Sequence, residues 1–280
     1  MLESADNQTY KRQLLTDFNS RINYDQGKFY TPVAKKLLSL VKLRKDQKIL
    51  DVATGTGIVA LDAATRVGSS GKVIGMDIST GMLKNAKQKL VKSGLQNVEF
   101  IEADADNLNF LDKDFDVVLC SLAICYLTNI SNVLHQWYNL LKPNGILAFN
   151  AWSEKAFPPS TIFREVAARH GIKIPNPNKP LGKIEKCYNF LQETGFHNIK
   201  VQTEQFGWYF TPDANTAEEL WRINSKNVFG YQVFQLLPNQ LEECKAEYMA
   251  EIQALPTTTQ GAWCDASIFF VTASKSISTS

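Results

Sequence analysis

Lys48-Ile49-Leu50-Asp51-Val52-Ala53-Thr54-Gly55-Thr56-Gly57-Ile58-Val59-Ala60-Leu61 is the stretch that decides the fold. Ile49, Leu50 and Val52 form a short apolar run of the kind a central parallel strand carries, because such a strand is covered on both faces. Asp51 falls near its carboxyl end. Ala53 to Gly57 offers little side-chain bulk, so the backbone can come close to a ligand. Ile58, Val59 and Leu61 begin the apolar face of a helix whose free N–H groups point back at the loop. Open α/β sheets bind ligands beyond the carboxyl ends of their strands. The stretch from Asp51 to Gly57 therefore reads as a site for a nucleoside-containing cofactor.

Working outward, residues 8–20 place Leu14, Leu15 and Phe18 at helical spacing, and 21–30 read as a polar, aromatic loop. Pro32 opens a helix with Val33, Leu37, Leu38 and Val41 inward. Downstream, 73–77 is a strand ending in Asp77. Residues 82–92 form a helix with Leu83, Ala86, Leu90 and Val91 inward and Lys84, Lys87, Lys89 and Lys92 on a solvated face. Strands follow at 98–102, 115–120 and 146–149, with a helix at 133–141 and a sharp turn at Lys142-Pro143-Asn144-Gly145. Strands mostly alternating with helices through short connections demand a parallel sheet covered on both faces. After residue 150 the pattern changes: helices at 160–170 and 183–193, a long strand near 198–206, helical stretches within 216–254 and a last strand over 264–273. The expected organisation is N-terminal helices at 1–45, a cofactor-binding core at 46–212, a helical, aromatic insertion at 213–258, and a last core strand with a tail at 259–280.

The 280 residues suffice for one large α/β domain or a core with an appendage. A net charge of +2, with no basic run, argues against nucleic acid and anionic membranes as partners. Cys120, Cys125, Cys187, Cys244 and Cys264 have no zinc spacing, so no metal site is expected. They read as buried free thiols of a reducing compartment. The polar, acidic first seven residues are unlike a signal peptide, and no apolar run is long enough to span a bilayer. The expectation is a cytoplasmic monomer or homodimer.

Gly55-x-Gly57-x-x-Ala60 with Asp77 downstream fits a loose dinucleotide fingerprint. An NAD(P)-dependent oxidoreductase is thus one alternative, and a non-catalytic binding subunit another. Two helices before the first strand, and the missing third glycine, count against a dinucleotide. The order of the motifs carries a resemblance. Asp51 to Gly57, followed by Gly75-Met76-Asp77-Ile78-Ser79-x-x-Met82-Leu83, resembles motif I and the next acidic strand end of class I S-adenosylmethionine (SAM)-dependent methyltransferases. Glu102-Ala103-Asp104-Ala105-Asp106-Asn107-Leu108-x-Phe110 resembles their adenine-contacting segment. Phe115-Asp116-Val117-Val118 and Leu141-Lys142-Pro143-Asn144-Gly145 resemble the fourth-strand motif and the turn before the fifth strand. Phe18-Asn19-Ser20-x-x-x-Tyr24-Asp25 is similar to the opening segment of the ubiquinone/menaquinone-type methyltransferases.

The resemblance implies a Rossmann-like, doubly wound, seven-stranded and mostly parallel sheet, with a helical cap inserted near the C-terminal strands. It implies SAM as cofactor, with Asp51, Ala53, Thr54, Gly55, Thr56 and Gly57 beside the methionine portion and Ser121 beneath it. Asp77 would accept from the ribose hydroxyls, Ile78 and Met82 would pack on the adenine, and Asp104 and the Ala105 N–H would bond its edge. Ala53 stands where glycine is frequent; a negative φ there would let alanine fit.

Methyl transfer is an in-line displacement that needs alignment and dryness, and a base only if the acceptor must lose a proton first. Cys120-Ser121-Leu122-Ala123 lacks the Asn/Asp-Pro-Pro-aromatic signature of amine methylation on nucleobases. His135, His170 and His197 are unconvincing bases. Tyr24 and Tyr126 are the catalytic candidates by resemblance, with Tyr30 beside them. The aromatic crowd from Phe206 to Phe234 reads either as a small core or as the wall of an apolar pocket. Trp152, Trp208 and Phe210 join Tyr30 as expected contacts of a small, apolar or aromatic acceptor, with O-methylation first and N- or C-methylation behind it, in secondary metabolism.

Overall fold

The computed structural model describes residues 4–21, 24–27, 29–108 and 114–276. Phe110, part of the motifs above, lies outside them. The N-terminal half runs α1 (Ser4–Ser20), a 3₁₀ turn (Tyr24–Gln26), α2 (Tyr30–Ser39), β1 (Lys48–Val52), α3 (Ile58–Val67), β2 (Lys72–Asp77), α4 (Thr80–Ser93), β3 (Val98–Glu102), β4 (Phe115–Cys120), α5 (Ile130–Leu140) and β5 (Leu141–Trp152). Then follow α6 (Pro158–Arg169), α7 (Ile184–Thr194), β6 (His197–Gln205), β7 (Trp208–Phe210), α8 (Ala214–Lys226), α9 (Pro238–Gln253), β8 (Ala262–Cys264) and β9 (Ser267–Ser274).

Seven strands form one sheet in the order β3-β2-β1-β4-β5-β9-β6. β1 pairs in parallel with β2 and β4, β2 with β3, and β4 with β5. The order reverses between β1 and β4, which opens a crevice at their carboxyl ends. Val52 stands opposite Met76 and Cys120, and Asp77 opposite Glu102. The strand ends therefore line up along one edge. α3 buries Val59, Ala60, Ala63, Ala64 and Val67, small residues that let it lie close on the sheet. Gly57 begins α3 in the left-handed region (φ 79), and a Cβ there would come within 2.8 Å of the Phe100 ring. Only glycine meets both demands. Ser79 caps α4 by accepting from the Met82 N–H at 3.1 Å.

Several local expectations are corrected. α1 begins at Ser4, and the loop after it contains a 3₁₀ turn. Val91 is 83% exposed and Leu90 only half-buried; Val91 follows Met82 by nine residues, which puts it on the side of α4 opposite the buried Met82–Ala86 face. Lys89 is half-buried and paired with Asp25, so the lysine face of α4 is not wholly solvated. Lys142 to Gly145 is a kink within β5, not a turn before it. Asn144 is left-handed (φ 62), and the backbone stays paired through Asn144 N–H to Lys275 O (3.1 Å) and Lys275 N–H to Gly145 O (2.9 Å). The single last strand is two strands. They are broken at Asp265, whose carboxylate accepts from the Ser267 N–H (3.0 Å) and reorients the chain, and β8 pairs with β7 in a separate two-stranded sheet.

The chain divides into two compact units, Met1–Ala151 with Lys183–Gln202 and Phe269–Ser280, and Trp152–Gly182 with Thr203–Ile268. The helical insertion at 213–258 lies wholly within the second. That unit has its own core, in which the rings of Phe163, Trp221 and Tyr248 meet at 5.3, 5.7 and 5.6 Å. Phe210 and Phe229 pack against it. Much of the aromatic crowd is thus core, whereas Trp208, Tyr209 and Phe234 are exposed. Among the described residues no helix is long and apolar enough to cross a membrane.

Candidate active site

The crevice at the carboxyl ends of β1, β2 and β4 is a cleft of about 710 Å³, including its open mouth. Asp77, Ile78, Met82, Asp104 and Ala105 line it together with Ala53, Gly55 and Ser121. Tyr24 and Tyr126 wall it. A second, smaller cavity of about 370 Å³ adjoins it. Asp51, Thr54, Thr56 and Tyr30 line this second space, which shares Tyr24, Ala53, Gly55, Ser121 and Leu122 with the first. Gly57 lines neither; it serves the packing of α3 on Phe100.

Asp77 does more than a ribose acid needs to do. Its Oδ2 accepts from the Gly55 N–H and its Oδ1 from the Ser79 N–H, both at 2.8 Å. It thereby ties the glycine loop to the start of α4, and a carboxylate still has lone pairs to spare for hydroxyl donors. Burial raises its pKa, opposed by these backbone N–H groups. Asp51 is 1% exposed and accepts from Thr54 Oγ1 at 2.6 Å. Burial pushes its pKa up to about 7. Gly55 has nothing within 4 Å of where a Cβ would sit, so its backbone faces open space. Ala53 adopts φ 52, against the expected negative value. The loop takes a glycine-type conformation although the residue is alanine, and the strain is held by the Thr54 N–H bond to Met76 O (2.8 Å).

α1 contributes Lys11 and Leu14, which no motif marked, beside Phe18, which one did; all three line the cleft from one face of the helix. The Lys11 ammonium pairs with Asp104, and with Asp106 at 3.0 Å. Asp106 in turn accepts from the N–H and hydroxyl of Thr128, each at 2.9 Å. Asn19 Oδ1 accepts from Ser79 Oγ (2.7 Å) and the Gly81 N–H (2.9 Å), and the Tyr10 hydroxyl donates to Tyr126 O at 2.9 Å. A lysine within an apolar helical stripe was the one available sequence signal. Asp25 accepts from the Thr56 hydroxyl and so pins the Tyr24–Gln26 turn onto the glycine loop.

The aromatics near the cleft form an ordered wall. Tyr24 and Tyr30 stack at 4.2 Å with planes 19° apart, and Phe18 meets Tyr126 edge-on at 5.2 Å. Burial raises the pKa of Tyr24, Tyr30 and Tyr126. Their phenols are neutral at physiological pH. In the second unit Trp152 meets Phe157 at 4.6 Å and Phe157 meets Trp208 at 6.3 Å. His135 and His197 are exposed, and His170 pairs with Glu247 at 2.7 Å. Among the described residues no cluster could hold a metal ion, and the five cysteines are free.

A glycine loop after β1, an acid ending β2 and an acid after β3, set at the switch point of a parallel sheet, fit a class I SAM-dependent methyltransferase. Residues 43–195 match a family model described as a methyltransferase domain, and the chain belongs to that family. It is 29% identical over 210 residues to the demethylmenaquinone methyltransferase of Staphylococcus epidermidis, covering 71% of this chain and 84% of that one. It is 33% identical over 153 residues to the ubiquinone/menaquinone biosynthesis C-methyltransferase of Cronobacter sakazakii, covering 54% and 60%. A putative methyltransferase from Bacillus halodurans shares the fold, with a TM-score of 0.58 at 21% identity over 87% of this chain and 98% of that one. The enzyme is a methyltransferase and SAM is its cofactor.

Proposed function

We propose that the enzyme methylates a small, flat, hydroxylated aromatic acceptor, with oxygen as the accepting atom. The observation that carries this is the aromatic wall of Phe18, Tyr24, Tyr30 and Tyr126, which favours a flat apolar ligand over a charged or extended one. SAM would supply an electrophilic methyl group. Asp77 and Asp104 would hold its ribose and adenine, Ile78 and Met82 would pack on the adenine, and Asp51 with the Ala53–Thr56 loop would hold the methionine portion. The acceptor would enter as its phenolate, its proton already lost to solvent, and take the methyl as the methyl–sulfur bond breaks and S-adenosylhomocysteine leaves, so that the chain's own contribution is alignment and exclusion of water. The neutral phenols of Tyr24 and Tyr126 orient the acceptor by donating hydrogen bonds. Tyr30 is assigned to the acceptor on the same ground, while the assignment of Trp152, Trp208 and Phe210 rests on sequence alone. The free thiols fit a reducing cytoplasm.

C-methylation is the second reading, supported by the quinone-pathway names of the relatives. Incubation with methyl-labelled SAM and a panel of phenols, hydroquinones and aromatic amines tests both. An O-methyl product resonance supports the first reading, a ring-methyl resonance the second, and turnover of amines alone refutes both.

A further inference from the structure

Asn150 is fully buried in the most apolar part of β5, between Phe149 and Ala151. A polar side chain in that setting is costly unless its hydrogen bonds are met. Both are met by one short segment. Oδ1 accepts from the Leu122 N–H at 2.6 Å, and Nδ2 donates to Ser121 Oγ at 3.3 Å. The register explains the need. β4 ends at Cys120, which pairs with Phe149, and β5 continues past it. Where the chain leaves the sheet, the Leu122 N–H has no ladder partner, and the Asn150 amide takes that place. Leu122 is also left-handed, with φ 58, a conformation that its Cβ disfavours. Ser121 and Leu122 line both the main cleft and the smaller cavity. A strained residue, a buried amide bonded at both its oxygen and its nitrogen, and the wall shared by both cavities thus coincide.

We infer that Asn150 is a positioning residue that locks the Ser121–Leu122 floor of the site in its left-handed shape and so sets the fit of the methionine portion of SAM. The inference rests on the assignment of Ser121 to that portion. Asn150 itself lines neither cavity and acts through the segment it holds.

The test uses calorimetry on the full chain with two probes, S-adenosylhomocysteine and 5′-methylthioadenosine. Both carry the adenosine, but only the first carries the amino-acid group. Asn150→Leu is expected to weaken S-adenosylhomocysteine about tenfold, as orphaning one buried N–H predicts, and to leave methylthioadenosine within about twofold. Asn150→Asp, whose protonated carboxyl is isosteric with the amide, is expected to restore binding to within about threefold. In a Leu122→Gly background the loss on Asn150→Leu should shrink to under about threefold, because glycine holds the left-handed shape without help. Asn150→Ser is too short to reach the Leu122 N–H and carries the same test if the leucine variant does not fold. Equal losses on both probes, no loss on either, or an undiminished loss in the glycine background overturns the inference. If the unmodified chain binds the two probes equally, the methionine assignment itself fails; if it prefers S-adenosylhomocysteine and the variants keep that preference, only the role of Asn150 fails.

Discussion

Asp51 offers a prediction whose size follows from the structure. Its carboxyl is buried and bonded to Thr54, and its pKa stands at about 7 instead of 3.8. Burial is the largest cause, and the like charge of Asp77 adds to it. The ammonium of a bound methionine group would favour the ionised form, so binding draws on the deprotonated fraction and releases a proton below the pKa. That fraction rises from roughly 3% at pH 5.5 to roughly half at pH 7. S-adenosylhomocysteine should then bind about fifteenfold more tightly at pH 7 than at pH 5.5, on the order of 1.6 kcal/mol. Calorimetry in two buffers of different ionisation enthalpy should find close to one proton released at pH 5.5. Asp51→Asn should abolish that slope, and any remainder belongs to Asp77, whose pKa is raised as well. A flat affinity profile in the unaltered protein, or the same slope in Asp51→Asn, refutes the reasoning. The sign for stability without ligand is opposite. The folded state holds its proton more tightly than the unfolded chain, so stability contributed at this site is greatest below pH 3.8 and declines as pH rises toward 7.

Four further outcomes are expected. Asp77→Ala should weaken SAM by ~1.5–3 kcal/mol in calorimetry and disorder the glycine loop, since it removes the acceptor of the Gly55 N–H; unchanged affinity contradicts its placement. Ala53→Gly should raise the unfolding free energy by up to about 1 kcal/mol, read as a higher denaturant midpoint, the left-handed penalty of alanine less the entropy glycine loses on folding; a lower midpoint contradicts the strain at φ 52. Lys11→Met should speed S-adenosylhomocysteine release severalfold in stopped-flow, because Asp104 and Asp106 lose the cation that ties α1 to them; an unchanged rate shows that α1 does not gate the cleft. Trp208→Ala should raise the acceptor's KM and leave SAM affinity alone, and equal loss of both contradicts its assignment to the acceptor.

How much was legible differs by distance along the chain. β1, the glycine loop and α3 are adjacent, and their apolar spacing, small residues and acid fix the strand–loop–helix unit directly. Asp77 and Asp104 are legible for the same reason, as acids at strand ends where each needs a partner. Lys11 and Asn150 were not. Each is ordinary in its own segment, and its meaning comes from a partner 93 or 28 residues away in sequence. Nor was the φ of Ala53, since a backbone angle enforced by tertiary bonds leaves no mark on residue type. The aromatic crowd misled in part because burial in a second core and exposure to a ligand select the same side chains; only the packing of Trp221 with Phe163 and Tyr248 separates the two.

The sequence by itself determined the alternation of strands and helices, because that rests on local periodicity; the methyl donor was legible only in the order of several motifs and the family they resemble, since the glycine loop alone fits a dinucleotide as well. The tertiary structure alone decided that Asp77 anchors the glycine loop, that α1 joins the site through Lys11, and that Asn150 holds a strained turn. Those roles belong to hydrogen bonds between distant segments, and such bonds form only when the chain is folded.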